Sequence, residues 1–321
     1  GDVDVRRGGV DVSDYAVILA ARMTSERLPG KVLAQYVPNS PVTNLAQIVR
    51  RWSKSRRSPD VVVFTPAAAD NDPIADECAR MAVPCFRGNA DVVWSMAAAL
   101  TTYAPAARYV ARALADNPLV DVGLADARLD VLAETGADGV WYGGEEARIT
   151  YAGTTDVWSR AAWERIAADS LGEEREHPGL FFWHNLSKFA VVQLPLPLRE
   201  YLADVRTELD EPRDLAMLRG VWAQAVRTGR LTADGHLSTL DALDILAECP
   251  DLAALNAEVV LKTQTAPAWR KGQHFGCKAC HGRIGAIVAG DLEVRCPRCG
   301  KPQKFYANPP NPYRQSRAAF E

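Results

Sequence analysis

Short, continuous runs of apolar residues alternate with helix-like stretches along the first half of the chain. The run at 15–21 reads YAVILAA, and a second at 60–65 reads DVVVFT. Runs of this length are typical of parallel strands that are buried on both faces. Stretches at 42–54 and 72–81 have helical patterns, and the second is entered through Pro73. The alternation predicts an α/β fold with a doubly wound, mostly parallel sheet, which binds ligands at the carboxyl ends of its strands.

The same alternation continues towards the middle of the chain. We predict further strands at 83–86 and 108–114, and further helices at 92–102 and 125–134. Strand-like segments that carry tryptophan, at 140–158, interrupt the alternation of strands and helices. A subdomain that covers a substrate would produce such an interruption. The helices expected to close the domain lie at 212–227, 239–247 and 252–260.

Length and composition fit one large domain with a small appendage. The 321 residues are 48% hydrophobic, which suffices for an α/β domain of about 200 to 260 residues. No apolar run approaches the ~18–20 residues of a membrane helix, and the first fourteen residues are too polar for a signal peptide. We therefore expect a cytoplasmic protein with no membrane partner. Its expected parts are an N-terminal extension (1–14), a main domain (15–262), a linker (263–273) and a C-terminal unit (274–321).

Four of the seven cysteines form two C-x₂-C pairs in the C-terminal unit. Cys277 and Cys280 are followed, after fifteen residues, by Cys296 and Cys299. Two such pairs supply four thiolates for tetrahedral Zn²⁺, and in so short a segment the metal must provide most of the folding free energy. The spacing predicts a zinc ribbon, with a redox or iron site as the alternative.

The cysteine-bearing segment is also basic and resembles the Com-type small zinc proteins of phages, which bind nucleic acid. From Lys262 to the end there are eleven Lys or Arg against three Asp or Glu, although the whole chain carries −3. With Phe305 and Tyr306 adjacent, this composition suits contacts to DNA or RNA phosphates and stacking on a base. A module that docks a protein or improves solubility is the alternative.

The loop after the first strand is the strongest candidate for a nucleotide site. It reads ARMTSERLPGK at 21–31. Cations and exposed backbone amides at the mouth of a parallel sheet suit a triphosphate, whose oxygens need charge-assisted donors. A solvated basic loop is the alternative. The candidate nucleotide-binding residues of the loop are Ala21, Arg22, Ser25, Arg27, Gly30 and Lys31.

ARMxSxRLPGK after such a strand resembles the signature of the cytidylyltransferases that make CMP-sugars, particularly their spore-coat-polysaccharide branch. The similarity continues through FRGxxDV at 86–92, DNPLVD at 116–121, EREH at 174–177 and DEPRD at 210–214, and covers roughly 15–262. It implies a fold of the nucleotide-sugar transferase (GT-A-like) type. It also implies Mg²⁺-dependent transfer of CMP from CTP to a sugar or sugar acid, with release of pyrophosphate. Related enzymes are commonly homodimers.

The resemblance assigns roles to four catalytic residues. Arg22 and Lys31 would grip the triphosphate and neutralise charge on the leaving pyrophosphate, and Asp116 and Asp210 would hold Mg²⁺. Parallel strands can bring two such distant carboxylates together at their carboxyl ends. The alternative readings are a turn residue for Asp116 and a helix N-cap for Asp210.

Two further positions are candidate contacts, and two departures favour a rival function. The FRG stretch suggests that Arg87 and Gly88 contact the base or ribose. Glu26 adds a carboxylate beside the phosphate loop, and Ala115 replaces a glycine of the family pattern. With the basic ribbon, these departures favour a glycosyltransferase-like enzyme that uses a nucleotide sugar to modify DNA or RNA. A non-catalytic nucleic-acid-binding protein is the third alternative.

Overall fold

The computed structural model describes residues 13–37, 40–142, 155–194 and 205–259, and the backbone of four short strands between 275 and 305. The seven strands of the main sheet are β1 (Tyr15–Ala20), β2 (Asp60–Pro66), β3 (Cys85–Gly88), β4 (Tyr109–Leu114), β5 (Gly139–Tyr142), β6 (Asp156–Ser159) and β7 (Val191–Leu194). The helices are α1 (Asn44–Trp52), α2 (Asp72–Arg80), α3 (Val92–Tyr103), α4 (Val122–Thr135), α5 (Arg160–Asp169), α6 (Pro178–His184), α7 (Pro212–Thr228), α8 (Thr239–Glu248) and α9 (Pro250–Ala254).

The main sheet has the strand order β3-β2-β1-β4-β6-β5-β7. β1 lies at its centre and pairs in parallel with β2 and β4, while β2 pairs in parallel with β3. β6 runs antiparallel to both of its neighbours, and β5 pairs in parallel with β7. The mostly parallel α/β sheet is confirmed. The strands that interrupt its rhythm arise within the tryptophan-bearing segment where the sequence pattern changes.

Alternate residues of β1 enter two separate hydrophobic cores. Tyr15, Val17 and Leu19 face a core built with α1, α2 and α4, whereas Ala16 and Ile18 face one built with α3, α5 and α6. Because helices cover both faces of the sheet, every position of this strand is selected for apolar character. This explains the uninterrupted apolar run in the sequence.

A third core joins α7 and α8 to the segment that follows β4. Leu119 and Leu209 pack there with Trp222 of α7. Two buried polar side chains strengthen the junction: the Arg51 Nε donates to the Pro118 carbonyl at 2.6 Å, and the Thr239 Oγ1 donates to the Leu119 carbonyl at 3.1 Å. These two bonds attach the segment that follows Asp116 to α1 and α8.

Several predicted boundaries were wrong, for identifiable reasons. α4 begins at Val122, three residues before the expected start, because the Asp121 side chain accepts the N–H of Leu124 as an N-cap. The third strand begins at Cys85 rather than at 83, and it extends through Gly88. α9 ends at Ala254, well short of the predicted 260.

The C-terminal unit contains two small antiparallel sheets. β8 (Phe275–Gly276) pairs with β9 (Arg283–Gly285), and β10 (Leu292–Arg295) pairs with β11 (Pro302–Phe305). Each C-x₂-C pair falls in the sequence between the two strands of one sheet. Cys277, Cys280, Cys296 and Cys299 lie outside the described residues, as does the whole of the predicted linker. In the described part of the chain, no helix is long and apolar enough to span a membrane.

Candidate active site

The loop after β1 is closed on itself by backbone hydrogen bonds. The Met23 carbonyl accepts the N–H groups of Ser25 and Gly30 at 3.1 and 3.0 Å, and the Met23 N–H donates to the buried Asn71 side chain at 2.9 Å. Gly30 has a φ of 72°, in the left-handed region that glycine enters without a Cβ clash. The turn at Gly30 leads directly into Lys31, which opens a short 3-10 helix at 31–33.

Lys31 lies between the two carboxylates predicted to hold metal. Its Nζ is 3.1 Å from Asp116 Oδ2 and 2.7 Å from Asp210 Oδ1. Asp116 follows the carboxyl end of β4, and its carbonyl accepts the N–H of Leu209, which brings the segment before α7 alongside. One ammonium thus bridges carboxylates from two distant parts of the chain. The cluster suits a cation because both carboxylates already direct oxygens at one positive charge.

Two arginines complete the cation shell of Asp210. The Arg27 Nη2 lies 2.8 Å from Asp210 Oδ2, and its Nη1 lies 2.9 Å from Glu211 Oε1. The Arg206 Nη2 reaches the same Asp210 oxygen at 2.8 Å. The helix N-cap position belongs to Glu211, not Asp210, so the N-cap reading of Asp210 was wrong. The Asp210 side chain instead faces cations.

The fully buried carboxylate of Asp214 holds Asp210 and Arg206 in place. Asp214 Oδ2 accepts the backbone N–H groups of Asp210 and Glu211 at 2.9 and 2.8 Å, as well as the Arg206 Nη2 at 3.2 Å. Its Oδ1 accepts the Arg206 Nε and the Asn256 Nδ2, each at 2.9 Å. Asp214 therefore holds both the backbone of Asp210 and the guanidinium that contacts the Asp210 side chain.

The charges and burial around the site shift the pKa values of Asp210 and Glu208 in opposite directions. Burial works against ionisation of Asp210, but the hydrogen bond and charge of Lys31, followed by Arg206 and Arg27, lower its pKa to about 2. Burial, with repulsion from Asp116, raises the pKa of Glu208 to about 7. Asp210 is consequently a permanent anion at neutral pH, whereas Glu208 gains or loses a proton there.

Arg22 pairs with a different carboxylate from those that Lys31 contacts. Its guanidinium lies 3.7 Å from the Glu176 carboxylate, and both side chains are more than half exposed. The Nδ1 of the adjacent His177 is buried and has no hydrogen-bond partner among the described residues. Burial, and then the charge of Arg112, lower the pKa of His177, so its ring is neutral at pH 7. The described ion pair of Arg22 therefore involves neither Asp116 nor Asp210.

Arg87 and Gly88 lie at the end of β3, away from Lys31. The Arg87 Nη2 donates to the carbonyls of Ala67 and Ala68 and to Asp72, at 2.9, 3.0 and 2.7 Å respectively. A Cβ on Gly88 would lie 2.4 Å from the Ser95 Oγ, so this position needs glycine for close packing on α3. A contact of either residue with base or ribose stays a prediction.

The structure thus gathers Arg27, Lys31, Asp116 and Asp210, and it leaves Arg22 and Arg87 in separate contacts. Sequence reasoning missed the roles of Arg206, Glu208 and Asp214. A signal was present: charged residues alternate with Thr207 and Leu209, which are both fully buried. Period-two burial of this kind directs the charged side chains to one side of an extended segment.

The sequence profile of the family described as Cytidylyltransferase matches residues 16–225. This chain belongs to the cytidylyltransferase family. It is therefore a nucleotidyltransferase, and the loop after β1 and the Asp116 segment both lie inside the matched region.

Two relatives and one solved structure are similar to this cytidylyltransferase. An uncharacterised protein of Methanocaldococcus jannaschii is 26% identical over 204 residues, which cover 62% of this chain and 79% of the relative. The spore coat polysaccharide biosynthesis protein SpsF of Bacillus subtilis is 24% identical over 233 residues, which cover 72% of this chain and 95% of SpsF. The structure of a cytidylyltransferase from Leptospira borgpetersenii has a TM-score of 0.64 and 20% identity. It covers 78% of this chain and 99% of its own.

Proposed function

We propose that this cytidylyltransferase transfers CMP from CTP to a hydroxyl of a sugar or sugar acid. The observation that carries the proposal is the sharing of the Lys31 ammonium by Asp116 and Asp210, next to the loop that contributes Arg22 and Arg27. Similarity to a polysaccharide biosynthesis protein supports a sugar acceptor. In the transfer, the acceptor hydroxyl loses its proton to solvent and its oxygen forms a bond to the α-phosphorus. The bond from that phosphorus to the oxygen bridging it to the β-phosphorus breaks, and pyrophosphate leaves.

The residues of the chain suit this displacement. Asp116 and Asp210 would hold Mg²⁺, which when bound neutralises phosphate charge. Arg22, Arg27 and Lys31 supply cations from one loop, and such donors stabilise the charge that develops on pyrophosphate. The Gly30 turn holds these cations on a closed loop. Ala21 and Ser25 belong to the same proposed nucleotide contact.

The test is pyrophosphate release from CTP and Mg²⁺ with a panel of sugars, sugar phosphates and sugar acids. We expect CTP to be used in preference to ATP, GTP and UTP, and activity to fall at least 100-fold in Asp116→Asn and Asp210→Asn. Asp234→Asn is the control, because Asp234 pairs with Lys54 outside the site. If an intact nucleotide sugar stabilises the protein and no triphosphate does, the glycosyltransferase rival replaces this proposal.

For the C-terminal unit, we propose a structural zinc held by Cys277, Cys280, Cys296 and Cys299. Support comes from the position of each cysteine pair between the strands of one small antiparallel sheet. The full-length protein should contain one Zn²⁺ per chain, and Cys296→Ser should lose it in elemental analysis. A zinc content of zero in protein purified without chelators would refute the assignment.

The charge of residues 262–321, which contain this unit, supports binding of DNA or RNA. Eleven basic residues against three acidic ones follow 261. We expect the full chain to bind a DNA duplex with an affinity that falls steeply as salt rises. Absence of binding at low salt would favour the protein-docking alternative.

A further inference from the structure

The Lys31 ammonium occupies the position that a divalent cation shared by Asp116 and Asp210 would need. Its Nζ lies within hydrogen-bonding distance of one oxygen from each carboxylate, and the Lys31 side chain is only 12% exposed. We propose that Lys31 is a specificity-determining residue. Its ammonium excludes free divalent cations from the two carboxylates, and it leaves the carboxylates only when a cation arrives with a nucleotide. This inference rests on the proposed function, because it requires that the two aspartates bind metal.

A bare divalent cation would meet an already compensated site. Lys31 contacts Asp210 Oδ1, and Arg27 and Arg206 both contact Asp210 Oδ2. To bind both aspartates, the incoming ion must displace the ammonium from its two acceptors. The displaced ammonium would then lie close to a dication after losing both of its aspartate partners, and like charges at such distances repel strongly where burial limits solvent screening.

A nucleotide changes this balance because its phosphates offer the ammonium new acceptors. Lys31 directly follows the Gly30 turn and lies on the same closed loop as Arg27, which we place beside the triphosphate. A rotation of the Lys31 side chain from carboxylate to phosphate exchanges one anion for another. The metal ion then takes the place of the ammonium at the aspartates, so every charge remains paired. This exchange selects the metal–nucleotide complex as the form of the substrate that binds.

Arg206 cannot make the same exchange, which singles out Lys31. The Arg206 side chain is 7% exposed, and the fully buried Asp214 holds its Nε and Nη2. It also contacts Glu208 at 3.1 Å. Lys31 has only the two aspartates as carboxylate partners among the ion pairs of the described residues. Arg27 contacts Asp210 and Glu211 but, among the ion pairs of the described residues, not Asp116. The Lys31 ammonium is thus the cation whose departure frees both aspartates.

The test measures Mn²⁺ binding to the full-length protein without nucleotide, from the electron paramagnetic resonance signal of free Mn²⁺. We expect Lys31→Met to bind Mn²⁺ at least tenfold more tightly than the wild type. Lys54→Met is the matched control, because the Lys54 ammonium also pairs with one aspartate, at 2.5 Å, outside the site. It should match the wild type. Adding Asp210→Asn to Lys31→Met should abolish the gain.

A second measurement uses CTP as the probe. CTP should strengthen Mn²⁺ binding by the wild type much more than by Lys31→Met, because the variant has no ammonium to draw away. Lys31→Gln, also uncharged, repeats both measurements if Lys31→Met does not fold. Equal or weaker Mn²⁺ binding by the folded uncharged variant overturns the inference.

The outcomes separate this inference from the proposed function. A wild type that transfers CMP from CTP, together with an uncharged variant that shows no gain in Mn²⁺ affinity, overturns the inference alone. If Lys31→Met binds Mn²⁺ more tightly but CTP changes neither Mn²⁺ binding nor pyrophosphate release in the wild type, the proposed function is overturned. The competition between Lys31 and the metal is then retained.

Discussion

Replacing Asp214 by asparagine tests whether the buried carboxylate is required to hold the site. Both oxygens of Asp214 accept hydrogen bonds from donors only: Oδ1 from Arg206 and Asn256, and Oδ2 from Arg206 and from the backbone of Asp210 and Glu211. An amide replaces one acceptor by an NH₂ group. Whichever way the amide is turned, its NH₂ faces other donors, so the isosteric substitution cannot be accommodated locally.

The expected magnitude follows from burial. The Asp214 side chain has no exposed area, and its partner Arg206 is 7% exposed. Removing one partner of a buried ion pair costs about 3–5 kcal/mol. We expect the lower end, ~3 kcal/mol, because Asp210 and Glu208 still compensate the guanidinium. For a domain of this size, such a loss lowers the unfolding midpoint by about 6–12 °C.

The assay is thermal and urea unfolding followed by circular dichroism. Asp130→Asn is the matched control: its carboxylate also faces two arginines, Arg56 and Arg57, but its side chain is 29% exposed. Exposed pairs of this kind contribute ~1 kcal/mol or less. A free energy of unfolding of Asp214→Asn within ~1 kcal/mol of the wild type would contradict the requirement for a buried carboxylate. Equal losses in Asp214→Asn and Asp130→Asn would contradict it too.

Three further changes have defined outcomes. Gly88→Ala places a Cβ 2.4 Å from the Ser95 Oγ, and should lower the free energy of unfolding in urea by about 1–3 kcal/mol, partly restored by adding Ser95→Gly. Burial, and then the charge of Arg51, lower the pKa of His236 from 6.5 to about 4. The folded protein therefore binds this proton less readily than the unfolded chain. Stability should fall as the pH drops from 6.5 to 4, by about 1–2 kcal/mol because the ring is partly open to solvent, and His236→Gln should reduce this dependence. Asn71→Ala removes the acceptor of the Met23 N–H. Because one lost hydrogen bond is worth ~1 kcal/mol, the KM for CTP should rise about fivefold. An unchanged KM would contradict a role for Asn71 in holding the loop.

The core of the fold was predictable because its causes are local. β1 is buried on both faces, so its sequence is apolar throughout, and that pattern is independent of its neighbours. The start of α4 was missed because it depends on a single cap, Asp121, rather than on apolar periodicity. The strand order required contacts between distant segments, which no local pattern contains.

The site was only partly predictable, for a related reason. Asp116 and Asp210 were predicted as metal ligands from the resemblance to a family. Their shared contact with Lys31 depends on tertiary structure, which no local sequence pattern contains. Arg206 and Asp214 act on Asp210 rather than on a ligand, so no ligand-binding motif marks them. Arg27 was predicted as a nucleotide contact, but its pairing with Asp210 depends on how the loop closes.

The hydrogen bonds of Thr239 and Asn256 determine where the shortest fragment suitable for enzyme assays should end. The family match ends at residue 225, within α7. A fragment cut there would lack Thr239, which holds the segment after Asp116, and Asn256, which donates to the Asp214 carboxylate. It would also expose the face of α7 that packs on α8. A stable and active fragment should therefore extend through 256, about thirty residues beyond the boundary that sequence similarity suggests.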